Sequence, residues 1–252
     1  HFFTDVLGGI TVSYLGVKLT KLFLDKRFPD ITNKQTNLLF NNKFNLSLVV
    51  FLFLAIFLSV GSSVDIYFSH LFYFGNNQFL LQSYYNITIF VRKIILPSVV
   101  IYIYILPIFS FFLPIKKLYL KYEFKFRDIL FLWVISIFNL GIVVNLFFKN
   151  IWGRARPGDI LQLGGKENFT PWFQISDACA SNCSFISGDA GVGFSLIALY
   201  FLTKKIVYFW SSLFFGFGIG LVRILEGGHF VSDVVMAAMI LYLSYYFQMK
   251  YY

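Results

Sequence analysis

Long apolar segments recur along this chain, and several approach the ~20 residues that a transmembrane helix needs. Hydrophobic residues make up 58% of the chain and charged residues only 13%. A soluble fold could not bury that much apolar surface, so the surrounding solvent must be a bilayer, in which helices satisfy their own backbone groups. We therefore predict an all-α, polytopic membrane protein. The candidate spans are residues 1–23, 44–64, 94–114, 128–148, 190–203, 206–222 and 230–249.

The first candidate span resembles the last one. Aligned without gaps, the segments that begin at His1 and His229 share His, Phe, Asp, Val, Tyr and Leu at matching positions. We interpret residues 1–28 as the closing helix of a preceding homologous copy, so that residues 29–252 form one domain of six transmembrane helices. A chance match between apolar helices is the alternative. The pattern leaves open whether His1 and Asp5 belong to a second site.

The distribution of positive charge predicts the orientation. Of the 21 Lys and Arg residues, fourteen lie in one set of alternate loops, which the positive-inside rule assigns to the cytoplasm. The other seven lie on the opposite side, together with the polar motifs described next. We therefore expect those motifs to face the periplasm from a bacterial inner membrane. The net charge of +9 then serves topology and anionic headgroups, with no need for a nucleic-acid partner.

Three positively charged side chains, Lys149, Arg156 and Arg223, lie close to the ends of predicted spans. A phosphoryl group in transfer carries negative charge on its oxygens, which positioned cations stabilise. Ser187 and Gly188 open another span, where the hydroxyl can donate to an anion, the glycine allows close approach, and the first helical N–H groups point toward it. We interpret these five residues as a phosphate-binding set. Snorkelling of the cations toward headgroups is the alternative.

A histidine and an aspartate stand four residues apart at the start of the last span. At that spacing, His229 and Asp233 share one face of a helix. The carboxylate can keep one imidazole nitrogen protonated, which leaves the other free to attack phosphorus. We therefore expect both residues to be catalytic.

Taken together, these residues resemble the signature of the type 2 phosphatidic acid phosphatase superfamily. Its three parts are Lys-x6-Arg-Pro, Pro-Ser-Gly-His and Ser-Arg-x5-His-x3-Asp. The resemblance covers residues 44–249 and implies a membrane phosphatase in which His229 forms a phosphohistidine, Asp233 orients it, and no metal ion or other cofactor is needed. The matching residues are Lys149, Arg156, Pro157, Ser187, Gly188, Arg223, His229 and Asp233.

The chain departs from that signature at Asp189, which stands where the family has a histidine. Ile186 and Val222 also replace the family's proline and serine. By resemblance, the family's histidine protonates the leaving alcohol. A protonated Asp189 that acts as the acid is the first of three interpretations. The second is a leaving group that needs little help, such as a pyrophosphate, and the third is a protein that binds phosphate but hydrolyses poorly.

The substrate implied by the resemblance is an amphiphile in the bilayer, namely a lipid A phosphate, a polyprenyl pyrophosphate or a phosphatidylglycerol phosphate. The segment Asn-Cys-Ser-Phe-Ile-Ser-Gly-Asp is similar to the lipid A phosphatase branch. Two alternatives stay open: a phosphotransferase that passes the phosphate to another lipid, and a non-catalytic lipid-binding or transport protein. The sequence predicts neither the individual lipid nor the oligomeric state.

Two cysteines, Cys179 and Cys183, lie in the polar loop between the motifs. If that loop faces an oxidising compartment, we expect a short-loop disulfide between them. Two cysteines alone make a poor metal site, so no metal site is predicted.

Overall fold

The computed structural model describes residues 62–76, 78–82, 84–250 and 252. Over these residues the protein is helical, and extended pairing is limited to two isolated bridges. The helices are α1 (Ser62–Leu71), α2 (Tyr85–Phe111), α3 (Phe126–Ile151), α4 (Gly188–Thr203), α5 (Ile206–Leu225) and α6 (Val231–Lys250). Short 3₁₀ turns occupy Leu80–Gln82, Ile115–Tyr119, Pro157–Asp159 and Leu161–Leu163. The all-α prediction is confirmed.

Four of these helices, α2, α3, α5 and α6, are long and apolar enough to cross a membrane, and α4 is a shorter apolar helix. Their bounds follow the predicted spans, except that α2 begins at Tyr85 rather than near residue 94. The predicted helix within residues 1–28 lies outside the described residues. So does nearly all of the span predicted at residues 44–64.

The ends of the helices gather at one face of the bundle. Helices α3 and α5 end there, and α4 and α6 begin there, so the motif residues predicted at helix ends come together. The first part of α2 lies at the same face, because Arg92 on α2 forms an ion pair with Asp189 on α4. We call this the motif face. The connections that contain Lys117 and Lys204 lie at the opposite end.

Helix α4 is held close to α5 by glycines. A side chain at Gly193 would place its Cβ 2.6 Å from the backbone nitrogen of Gly216, which is closer than any real contact. Small residues of this kind let two helices in a membrane approach to backbone distance. The contact fixes the first turn of α4, with Asp189, against the part of α5 that ends in Arg223.

The loop between α3 and α4 is packed on aromatic rings rather than left in solvent. Trp152 stacks on Phe185 with ring centroids 5.0 Å apart, and its indole N–H donates to the carbonyl of Trp172 at 2.7 Å. This packing anchors both ends of the loop, so the polar residues between them keep defined positions at the motif face.

Candidate active site

A cavity of about 410 Å³ opens at the motif face. It brings together five of the residues predicted from the sequence, although they come from three different helices and a loop. Three side chains that the sequence analysis did not select, Arg92, Asn145 and Asn182, complete its polar lining. The predicted residues in the lining are Lys149, Arg156, Gly188, Asp189 and Arg223.

Two of the four cations in this cavity are held by one asparagine. Lys149 Nζ donates to Asn182 Oδ1 at 3.1 Å, and Arg156 Nη2 donates to the Asn182 carbonyl at 2.8 Å. A Cβ added at Gly188 would lie 3.0 Å from Lys149 Cε. Glycine at this position therefore leaves room for the lysine beside the first turn of α4. Positioned cations next to helical N–H groups are suited to bind an oxyanion.

Asp189 lies among the arginines rather than apart from them. Its Oδ2 is 3.3 Å from Arg223 Nε and 3.6 Å from Arg92 Nε, and its side chain is 27% exposed. Arg223 also pairs with Glu226. The assignment of Asp189 as the acid stays a prediction. The two arginines that it contacts are also groups that a phosphate could contact, so competition with phosphate is a second role to test.

Replacing Asp189 with asparagine separates these two roles. Because the carboxylate competes with phosphate for the same arginines, we expect Asp189→Asn to lower KM and the inhibition constant of inorganic phosphate about tenfold, with kcat within about tenfold of wild type. Steady-state kinetics with phosphate as competitive inhibitor measure all three. Asp177→Asn, an exposed carboxylate that lines no part of the cavity, is the matched control. A fall in kcat of a hundredfold with unchanged KM would restore Asp189 as the acid.

The predicted catalytic pair is buried beside the cavity and is not part of its lining. His229 is 1% exposed, and its Nδ1 lies 3.6 Å from Asp233 Oδ2. Ser187 is also fully buried, and its hydroxyl has no hydrogen-bond partner among the described residues. Its backbone N–H donates to the Asp233 carbonyl at 3.3 Å, which ties the start of α4 to α6. Nδ1 faces the carboxylate, so Nε2 is the nitrogen that the predicted nucleophilic role of His229 would use.

Burial controls the charge of His229. Desolvation lowers the pKa of its imidazole to about 4, against the opposing effect of Asp233, and the positive charges of Arg223 and Lys149 lower it further. The imidazole is therefore neutral at physiological pH, which a nucleophile requires.

This state can be observed directly. We expect the His229 resonance, in protein labelled with ¹³C at histidine Cε1 and kept in detergent micelles, to titrate near pH 4 rather than near the ordinary histidine value of about 6.5. Comparison with His229→Gln assigns the signal. A midpoint at or above pH 6 would show that the imidazole is solvated and would contradict the buried arrangement.

A fully buried arginine, Arg154, holds Asp233 of the His229–Asp233 pair in place. Its Nη1 donates to Asp233 Oδ1 at 2.5 Å and to Ser232 Oγ at 2.8 Å, and its Nη2 donates to Asp65 Oδ2 at 2.8 Å. Its guanidinium also lies over the Phe230 ring, 4.2 Å from the centroid. The sequence analysis did not assign a role to Arg154 or to Asp65. The basic cluster around Arg154 was a usable signal, whereas Asp65 carried none because it belongs to a distant helix, α1.

Asp233 is held by several hydrogen-bond donors. Besides Arg154, it accepts from Ser184 Oγ at 2.5 Å and from the Phe230 N–H at 2.9 Å, both at Oδ2. Three donors on one carboxylate fix its orientation and stabilise its negative charge. The side chain that faces His229 is therefore locked in place.

The two cysteines lie in the loop between α3 and α4. The structure joins Cys179 to Cys183 in a disulfide, within the loop that carries Asn182. Among the described residues, no group of three His, Cys, Asp or Glu side chains is placed to hold a metal ion.

Comparison with known proteins decides the family. The sequence profile of the PAP2 superfamily matches residues 129–252. A lipid A 4'-phosphatase of Francisella tularensis subsp. novicida (strain U112) is 35% identical to the chain over 209 residues, which is 79% of this chain and 90% of that relative. The chain belongs to the PAP2 superfamily. The resemblance inferred from the three motifs is thereby confirmed.

Two further relatives match a shorter region. Lipid A 4'-phosphatases of Rhizobium leguminosarum and of Rhizobium etli (strain ATCC 51251 / DSM 11541 / JCM 21823 / NBRC 15573 / CFN 42) are 34% and 33% identical over 98 residues. That region is 38% of this chain and 42% and 38% of the respective relatives. No solved structure gave a significant match. The family and these relatives confirm the prediction of a membrane lipid phosphatase.

Proposed function

We propose that the protein removes a phosphate from lipid A through a phosphohistidine on His229. The observation that carries the proposal is the arrangement at the motif face, where a cavity with four cations adjoins a buried, neutral histidine held beside a carboxylate. The choice of lipid A among the predicted lipids is supported by the relatives, all three of which are lipid A 4'-phosphatases.

The proposed reaction has two steps at one site. The substrate phosphate displaces the Asp189 carboxylate from Arg223 and Arg92, and Lys149 and Arg156 bind its other oxygens. His229 Nε2 then attacks phosphorus, the bond from phosphorus to the sugar oxygen breaks, and that oxygen takes up a proton from water. A water molecule hydrolyses the phosphohistidine and releases inorganic phosphate. The cations stabilise the negative charge of both transition states.

We further propose six transmembrane helices in a bacterial inner membrane, with the motif face toward the periplasm. The charge distribution supports this orientation, because Lys117, Lys204 and Lys205 lie at the end of the bundle opposite the cavity, where the positive-inside rule expects them. Lipid A phosphate and the bilayer itself are then the partners of the protein.

The test is phosphate release from a panel of lipids by protein purified in detergent, with EDTA present. We expect release from lipid A, and little from a polyprenyl pyrophosphate or a phosphatidylglycerol phosphate. A second arm adds an unphosphorylated lipid acceptor and follows labelled phosphate. Label in the acceptor rather than in free phosphate would replace the hydrolase by a phosphotransferase, and no loss of phosphate from any lipid would reject catalysis altogether.

A further inference from the structure

A second cavity, of about 310 Å³, also opens at the motif face. It shares with the first cavity three side chains, those of Arg92, Arg156 and Arg223. The same three guanidinium groups therefore border both spaces. A molecule whose phosphate lies in the first cavity can extend past the arginines into the second.

The two cavities differ in the chemistry of their remaining walls. The second one lacks Lys149 and the first turn of α4, and instead has Gln82, Asp159, Glu226 and the glycine pair that precedes His229. Two carboxylates repel a second phosphate. Carboxylate side chains accept hydrogen bonds from hydroxyls, and an amide side chain can both accept and donate. The walls therefore suit a neutral, hydroxylated group.

Two of these polar side chains, Gln82 and Asp159, can still form hydrogen bonds with a ligand. One oxygen of Glu226 pairs with Arg223, and the other is buried. Gln82 accepts from the Phe79 N–H at 3.2 Å through its oxygen, so its amide NH₂ is the part that remains to donate. Asp159 is exposed. Acceptors and a donor thus meet around one space.

The position of the second cavity relates it to the reaction. Gly227 and Gly228 form part of its wall, and the next residue in the chain is His229. A Cβ added at Gly228 would lie 2.7 Å from Arg223 Nη2, so glycine allows the loop to pass directly against the shared arginine. The group bound here would be the one bonded to the phosphate that His229 attacks.

We propose that the second cavity binds the sugar to which the scissile phosphate is attached. This inference rests on the proposed function and deepens it, since it makes a phosphorylated glucosamine lipid the preferred substrate over a phosphate carried directly by glycerol. Specificity then comes from hydroxyl recognition beside the phosphate site, and the acyl chains remain in the bilayer.

The test compares two substrates that differ in the sugar. The ratio of kcat/KM for a phosphorylated glucosamine lipid to kcat/KM for phosphatidic acid is measured for the wild type and for the double variant Gln82→Ala/Asp159→Asn. We expect the wild type to prefer the sugar lipid, and the double variant to lower the ratio about tenfold, as loss of hydrogen bonds to a charged group implies. The control is Glu167→Gln, a carboxylate of the same loop that lines neither cavity, and it should keep the wild-type ratio.

The possible results distinguish failure of the sugar site from failure of the proposed function. An unchanged ratio in the double variant, or equal use of both substrates by the wild type, would overturn the sugar site while leaving a lipid phosphatase. Release of phosphate from neither substrate by the wild type would instead overturn the proposed function on which the inference rests.

Discussion

Replacement of His229 by alanine is expected to lower kcat for phosphate release by at least about 10³-fold. The reason is that the variant lacks the nitrogen that forms the covalent bond to phosphorus, and the buried position beside Asp233 leaves water no equivalent geometry. The first measurement is release of inorganic phosphate from lipid A. The second uses lipid A with a labelled phosphate and determines, after rapid quenching, how much label is bound to the protein and whether that label survives acid or base. A phosphohistidine should appear as label that survives base and is lost in acid.

The chain offers a matched control in His70→Ala. His70 is exposed at the end of α1 and lines neither cavity, so its loss should leave release and labelling at wild-type levels. Persistent labelling in His229→Ala would show that another side chain is the nucleophile. Loss of activity in both histidine variants would point to a general effect of handling and not to the site.

Replacement of Arg154 by methionine is expected to have the largest effect on stability. The guanidinium is fully buried and pairs with Asp65 and Asp233, so its removal leaves two buried carboxylates without their cation. Breaking a buried ion pair from one side costs about 3–5 kcal/mol. We expect a lower midpoint of thermal unfolding in detergent, followed by circular dichroism, and loss of phosphate release as Asp233 reorients.

Three further variants test whether the loss of stability comes from the buried ion pairs of Arg154. Arg127→Met removes a half-buried arginine near the opposite end of the bundle that bonds to Tyr252, and should cost about 1 kcal/mol or less. Arg154→Lys keeps the charge but lacks the planar guanidinium that contacts both carboxylates. Its loss of stability should therefore lie between those of Arg127→Met and Arg154→Met. Asp65→Asn in the Arg154→Met background should recover part of the stability, because one unpaired charge is then gone. Equal midpoints for Arg154→Met and Arg127→Met would contradict the structural role.

Much of the site was predictable because its residues are chemically unusual in their surroundings. Cations at the ends of apolar spans, and a histidine four residues before an aspartate, have few explanations in a chain so rich in hydrocarbon. Lys149, Arg156 and Arg223 were therefore selected from the sequence, and the structure brings them into one cavity. The helices themselves followed from the length of their apolar segments.

Long-range partners were beyond the reach of the sequence. Arg92 and Asp65 look like ordinary charges near helix ends. Only the packing of the helices brings Arg92 to Asp189, and Asp65 to Arg154 and the Ser232 N–H. The same holds for Asn182, whose amide and carbonyl hold two cations although the residue lies in a loop without periodicity. The interpretation of Asp189 as a protonated acid depended on its surroundings too, and those contain two arginines.

The shortness of α4 has a consequence for how a lipid meets this protein. Gly188–Thr203 rises about 24 Å at 1.5 Å per residue, whereas the hydrocarbon layer is about 30 Å thick. If the exposed Lys204 lies at one membrane boundary, the turn around Gly188 does not reach the other boundary and is recessed among the longer helices. A lipid can thus present its headgroup by sideways diffusion, without being lifted out of its leaflet. Turnover then becomes sensitive to the hydrophobic thickness of the host membrane, since the surface of a thinner bilayer lies closer to the cations of the first cavity.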